Sequence, residues 1–215
     1  MTVIAIDGPA GAGKSSVARA VARALCYSYL DTGAMYRAVA LAVLEQGVDP
    51  TDESAVAALT ATVEVDARGE TTMLNGRDVG QRIRDEDVTS IVSLISSYPM
   101  VRSRLLQLQR QLLAQGDIVV EGRDIGTRVA PDADAKVYLT ASLEQRARRR
   151  ATQYGAETAE LSKFETDLEK RDRADSGRRE SPLTQAQDSV VIDSTDLSLE
   201  QVVEQIVELI KAREP

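Results

Sequence analysis

Residues 7–16 read DGPAGAGKSS. A short apolar run, Val3 to Ile6, precedes the stretch, and Val17, Ala18, Val21, Ala22 and Leu25 follow it at helical spacing. This order of strand, glycine-rich turn and amphipathic helix is the setting a P-loop requires. The pattern is complete: Gly8, four residues, then Gly13-Lys14-Ser15. Glycines let backbone N–H groups turn inward as an anion nest, and the helix N-terminus adds its dipole. Gly8, Pro9, Ala10, Gly11, Ala12, Gly13, Lys14, Ser15 and Ser16 are therefore expected to hold a nucleoside triphosphate. Lys14 would bring a charge to the β- and γ-phosphates, and the Ser15 hydroxyl would ligate Mg²⁺.

Working outward, Tyr27 to Asp31 reads as a second strand, and Gly33 to Gln46 as a helix stopped by Gly47. Thr51 to Thr60 reads as a short helix. From Thr62 to Val79 the signals turn to β, with alternation over Thr62 to Asp66 and turns at Arg68-Gly69 and Asn75-Gly76. This is expected to be a small antiparallel insert outside the main sheet. Two helices follow, Asp85 to Ser97 and Pro99 to Gln115, with Pro99 at a first helical position. Ile118 to Glu121, Lys136 to Leu139 and Val190 to Asp193 read as strands. Capping boxes are expected at Ser142–Gln145, Ser162–Glu165 and Ser198–Gln201. Five short apolar strands separated mainly by helices predict a doubly wound α/β fold with a parallel sheet. Such sheets bind ligands at the carboxyl ends of their strands.

The chain has 215 residues, which suits one domain spanning 1–215. Its net charge of −8 lacks the basic footprint of a nucleic-acid binder. A single cysteine, Cys26, rules out an intrachain disulfide and suits a reducing compartment. It reads as a small apolar side chain near a helix end. No apolar run approaches the roughly 18 residues of a membrane span, and MTVIAIDG lacks a basic start and a cleavage site. A cytoplasmic protein is expected, with no nucleic-acid or membrane partner, and nothing calls for more than a monomer. The absence of histidine excludes His-based triads, general bases and metal sites.

P-loop proteins include GTPase switches, motors, small-molecule kinases and nucleotide sensors. No Asn-Lys-x-Asp run for guanine is present. A kinase needs a second polar pocket at the same sheet edge. Candidates for it lie at predicted strand ends: Asp31, Thr32, Tyr36 and Arg37 in LDTGAMYR, and Arg123 and Asp124 in VEGRDIGTRV. Arg37, Arg102, Arg123, Arg171 and Arg178 all fall near strand ends or flanking helices, and arginine suits planar, bidentate phosphate recognition. An acceptor phosphate monoester, with its second pKa near about 6, needs charge shielding and no general base. The missing histidine therefore favours a nucleoside monophosphate acceptor.

GPAGAGKSS, LDTGAMYRA, the Thr62–Val79 insert, EGRDIGTRV, and RDRADSGRRESPL followed by DSTDLSLEQV together resemble the bacterial type of cytidylate kinase, over essentially the whole chain. The resemblance implies ATP as donor, with Mg²⁺, and CMP or dCMP as acceptor. It implies Thr32, Ser93, Arg102, Asp124 and Arg178 around the cytosine, Arg37 and Arg123 on the acceptor phosphate with Tyr36 alongside, and Arg171 and Asp175 on the sugar and phosphate. Lys14, Arg123 and Arg171 would be the catalytic set. An acceptor-binding region over 32–102, with its β insert at about 62–83, and a lid over 146–165 are also implied. Arg146 to Arg150 would sit on that lid, with Arg149 meeting ATP; a solvated helix face is the plainer reading of such a run. Departures are Glu121, where many members have Asp, and Gly177 and Arg179, which leave open whether Arg178 or Arg179 points inward. A kinase for UMP or AMP, and a non-catalytic nucleotide sensor, are the rival readings.

Overall fold

The computed structural model describes residues 1–155 and 161–212. They divide into two compact units, Met1–Tyr27 with Asp117–Pro215, and Ser28–Gly116. The main sheet runs in the order β2-β6-β1-β7-β8, from β1 (Val3–Asp7), β2 (Ser28–Asp31), β6 (Ile118–Gly122), β7 (Ala135–Thr140) and β8 (Val190–Asp193). The pairs β1–β6, β1–β7 and β7–β8 are parallel, and the register sets Ile6 opposite Glu121 and Asp7 opposite Gly122. This is the doubly wound five-stranded sheet that the apolar runs predict.

In the first unit, Ile4, Ile6, Val119, Val120, Val137 and Leu139 are buried on the strands. Each such side chain contributes roughly 1.5–3 kcal/mol of burial. Helix α1 (Lys14–Leu25) turns Val17, Ala18, Val21 and Ala22 inward and packs on β6 and on α8 (Leu199–Lys211). A full capping box of Ser198 and Gln201 opens α8. Cys26 ends α1 in the left-handed conformation at φ 58° with its side chain exposed, so it does not fill an apolar site. Ser142 caps α6 (Leu143–Tyr154) through the Gln145 N–H. Ser162 is not a cap: it lies inside α7 (Leu161–Ser176), where its carbonyl accepts the Thr166 hydroxyl. Of the expected lid, residues 156–160 lie outside the described residues.

In the second unit, the Asp31 carboxylate caps α2 (Thr32–Glu45) by accepting the Ala34 N–H at 2.8 Å. Helix α3 (Glu53–Thr62) runs to Thr62, where a strand is expected. The Thr60 and Thr62 hydroxyls donate to the Val56 and Leu59 carbonyls, which settles both threonines into the helix. The insert is correspondingly shorter: β3 (Val65–Asp66), β4 (Met73–Leu74) and β5 (Arg77–Asp78), antiparallel in the order β3-β4-β5. Asn75 and Gly76 both take positive φ, 50° and 76°, as a tight β4–β5 hairpin requires. Arg68 is not only a turn residue, since it bridges Leu30. Helices α4 (Glu86–Ile95) and α5 (Pro99–Leu113) pack against α2.

Candidate active site

The P-loop of the first unit follows the physics of its sequence closely. Gly8, Gly11 and Gly13 take φ of 148°, 77° and 93°. A Cβ at Gly8 would sit 2.0 Å from the Leu139 carbonyl oxygen, so the close approach of β1 to β7 demands glycine here. Gly13 in the left-handed region starts α1 and leaves the first helical N–H groups pointing into the loop.

Lys14 is buried, and its Nζ donates to the Pro9 carbonyl at 2.8 Å. Burial, helped by Arg123 and Arg171, pushes its pKa down to about 7, while Glu121 and Asp7 act to raise it. Glu121, at the end of β6, is itself buried. Burial pushes the Asp7 carboxyl up to about 6, against the two N–H groups it accepts, from Ile125 at 2.9 Å and Gly126 at 2.7 Å. The P-loop thus backs onto a dense charge cluster.

Asp175, from α7, organises the arginines. Its Oδ2 accepts Arg123 Nε at 2.8 Å, and its Oδ1 accepts Arg178 Nη2. Burial works against the charge of Asp175, yet Arg123 and Arg178 hold its carboxyl below the usual range. Burial likewise opposes the charge of Arg123, but Asp175 and Glu121 raise its pKa overall. Arg171 lies in the field of both Lys14 and Asp175. Arg178 is therefore the inward arginine; Arg179 is exposed. Asp124 is buried at the head of a π-helical turn, Ile125–Val129, which the sequence does not announce.

The Arg146–Arg150 stretch divides in two. Arg146 is a buried clamp, donating to the Ala10 and Ala141 carbonyls at 3.1 Å each and pairing with Asp172. Asp172 also accepts the Ala10 N–H at 3.2 Å. Arg149 donates to Ala12 O at 3.2 Å and to Ser194, so it too lies on the P-loop. Arg148 has the solvated character, paired with Glu144 one turn back. Ala10 packs with Ala147 and Leu168, which joins the loop to α6 and α7 by apolar contact as well.

In the second unit α2 is the hub. Thr32 is buried in its first turn. The Arg102 guanidinium of α5 stacks 5.4 Å over the Tyr36 ring and donates to the Ser96 carbonyl. Arg37 donates to the Ile83 carbonyl at 3.0 Å and to the Thr89 hydroxyl at 2.8 Å. Ser93 follows Thr89 by four residues, so the two share a face of α4. Thr89, Asp7, Asp172 and Ser194 hold expected site residues or the P-loop in place and are not singled out by the sequence. Only Asp7 carried a signal, as the polar end of β1.

A parallel sheet with a lysine-bearing P-loop at the end of its central strand defines a P-loop nucleotide-binding fold, the one that small-molecule kinases share. Solved structures agree. A shikimate kinase from Acinetobacter baumannii superposes with a TM-score of 0.52 at 15% identity, covering 100% of this chain and 95% of its own. A gluconokinase from Sinorhizobium meliloti 1021 superposes with 0.52 at 17%, covering 98% and 94%.

Within that class the chain belongs to the cytidylate kinase family, whose model matches residues 4–212. It is 49% identical to a cytidylate kinase of Mycolicibacterium paratuberculosis, across 98% of this chain and 96% of that protein. It is 46% identical to one from Geobacillus kaustophilus, with 98% and 96% covered. A bifunctional pantoate ligase/cytidylate kinase of Synechocystis is 48% identical over 98% of this chain, which spans only 43% of that longer protein.

Proposed function

We propose that this chain transfers the γ-phosphate of ATP to CMP or dCMP, giving ADP and CDP or dCDP. The observation that carries the reading is the buried charge cluster behind the P-loop, where Lys14 shares its surroundings with Arg123 and Arg171. Family membership supplies the base.

An oxygen of the acceptor phosphate attacks the γ-phosphorus, and the bond from that phosphorus to the β–γ bridging oxygen breaks. No proton need leave the acceptor, because its phosphate is largely a dianion at neutral pH. The chain's task is to let two anions meet and to hold them in line. The donor phosphates would replace the Pro9 carbonyl as the partner of Lys14 Nζ and favour its charged form. Arg123 and Arg171 shield the acceptor phosphate and the transferring group, and Asp175 holds Arg123 and Arg178 in place. In the second unit, Arg37 and Tyr36 serve the acceptor phosphate, and Thr32, Ser93 and Arg102 the base. In the first unit, Asp124 and Arg178 serve the base, and Arg171 and Asp175 the sugar.

The donor set fits Mg²⁺ held mainly by substrate. Ser15 offers one hydroxyl in the first turn of α1, and no cluster of three or more acidic, Cys or His groups occurs among the described residues. Bound between Ser15 and the ATP oxygens, the ion would neutralise the β- and γ-phosphates. Arg149, bonded to the Ala12 carbonyl, is the ATP contact of the expected 146–165 lid, which would keep water from the reacting phosphate. The kinase acts as a cytoplasmic monomer. No helix among the described residues is long and apolar enough to cross a membrane.

ADP release measured over CMP, dCMP, UMP, AMP and no acceptor tests the reading. Turnover is expected with CMP and dCMP. No ADP above background with any acceptor would sink it in favour of a sensor, and a best rate with AMP would reassign the acceptor.

A further inference from the structure

We propose that Asp7 is a positioning residue that sets Asp124 at a fixed place relative to the phosphate cradle. The inference rests on the proposed function, in which Asp124 meets the acceptor base. The carboxylate of Asp7 accepts the backbone N–H groups of Ile125 and Gly126, 118 and 119 residues away in sequence. These are the two peptides that follow Asp124. Within the first of these peptides, the Asp124 carbonyl accepts the N–H groups of Arg128, at 2.8 Å, and Val129, at 3.2 Å. The peptide that follows Asp124 is therefore bonded through both of its groups, its carbonyl within the turn and its N–H to β1.

Ile125 and Gly126 open the π-helical turn, so their N–H groups have no partner inside it. A distant carboxylate does the work that a local cap does elsewhere. Asp7 is also the residue before Gly8, where the P-loop leaves β1. One side chain thus ties the segment carrying the donor cradle to the segment carrying Arg123 and Asp124. Asp7 is buried, and a neutral hydroxyl could cap a turn without the desolvation that a carboxylate suffers there. A charged acceptor for two donors gives a stiffer and shorter join.

The test compares wild type, Asp7→Asn, Gly126→Ala, and Ile206→Ala in the core of α8 as a stability control. Asn keeps one acceptor and turns an amide donor on the second N–H. Gly126→Ala crowds the loop side of the join mildly, since its Cβ would lie in contact 3.4 Å from Asp7 Oδ2 and 3.2 Å from Lys136 Cδ. Steady-state kinetics give KM for CMP and ATP and the CMP/UMP ratio of kcat/KM. For Asp7→Asn the CMP KM is expected to rise about 10-fold or more and the CMP/UMP ratio to fall, with the ATP KM within about twofold. Gly126→Ala should move the same parameters in the same direction by a smaller factor than Asp7→Asn, and Ile206→Ala should move neither KM at equal loss of thermal stability. An unchanged CMP KM, or equal losses on CMP and ATP, overturns the inference. So does failure of both site variants to fold, because Asp7 would then serve folding alone. Wild type inactive on CMP would remove the proposed function and this inference together; an active wild type with an unselective Asp7→Asn removes the inference only.

Discussion

Replacing Asp175 by Asn tests the arginine cluster at its centre. The carboxylate accepts two guanidinium groups from a buried position, with side-chain exposures of 3% for Asp175, 19% for Arg123 and 9% for Arg178. Asn retains the shape and one acceptor oxygen, but it turns an NH₂ toward one arginine and removes the balancing charge. Breaking a buried pair from one side costs about 3–5 kcal/mol. At about 2–4 °C per kcal/mol for a chain of this size, the melting temperature should fall by roughly 6–20 °C. The pH dependence has a definite sign. The Asp175 carboxyl is held down in the fold, so its contribution is present above the unfolded pKa, about 3.9, and is lost as pH falls through the lower folded value. The gap between wild type and variant should therefore be full at pH 7 and narrow below about pH 4. Differential scanning calorimetry at pH 7, 5 and 3.5 reads this directly, and the CMP KM should rise in parallel. A melting temperature within about 2 °C of wild type at pH 7 would refute the reasoning, because the pair would then behave like a solvated one.

Four further outcomes follow from the same site. With Lys14 at about 7 in the empty protein, ATP binding at pH 8 should take up close to one proton, seen by calorimetry in two buffers of different ionisation heat; no uptake would mean that Lys14 is already charged. Lys14→Ala should abolish turnover while leaving circular dichroism unchanged, and wild-type rates would remove the P-loop account. Arg178→Ala should raise the CMP KM while Arg179→Ala leaves it alone, the reverse result placing the wrong arginine inward. Asp124→Ala should raise the CMP KM and narrow the CMP/UMP preference, and parameters near wild type would remove Asp124 from base recognition.

Much of the scaffold was legible because local chemistry and global fold agree. Val3–Asp7, the glycines and the α1 stripe need no distant partner to be read. Asn75-Gly76 specifies its own turn. Thr62 was misread because Thr62 to Asp66 alternates like a strand, while side-chain bonds to the preceding turn extend α3 across its first residue. Ser162 has the spacing of a capping box, yet α7 already begins before it. The expected arginines were found because their type and their place near strand ends are sequence properties. Their partners were not. Asp7 meets Gly126 and Arg146 meets Ala10 across more than half the chain, and only the register of β1, β6 and β7 makes those neighbours. Arg146 shows the limit well, since nothing in its run of arginines marks it as the buried one.

The central claim is an acceptor site built for cytosine, and kcat/KM for CMP against UMP on one preparation tests it most directly. Uracil reverses donor and acceptor at two positions and would leave a buried polar group unmatched, at about 1–3 kcal/mol. The account predicts CMP ahead by roughly 10-fold or more. UMP equal to or faster than CMP would contradict it.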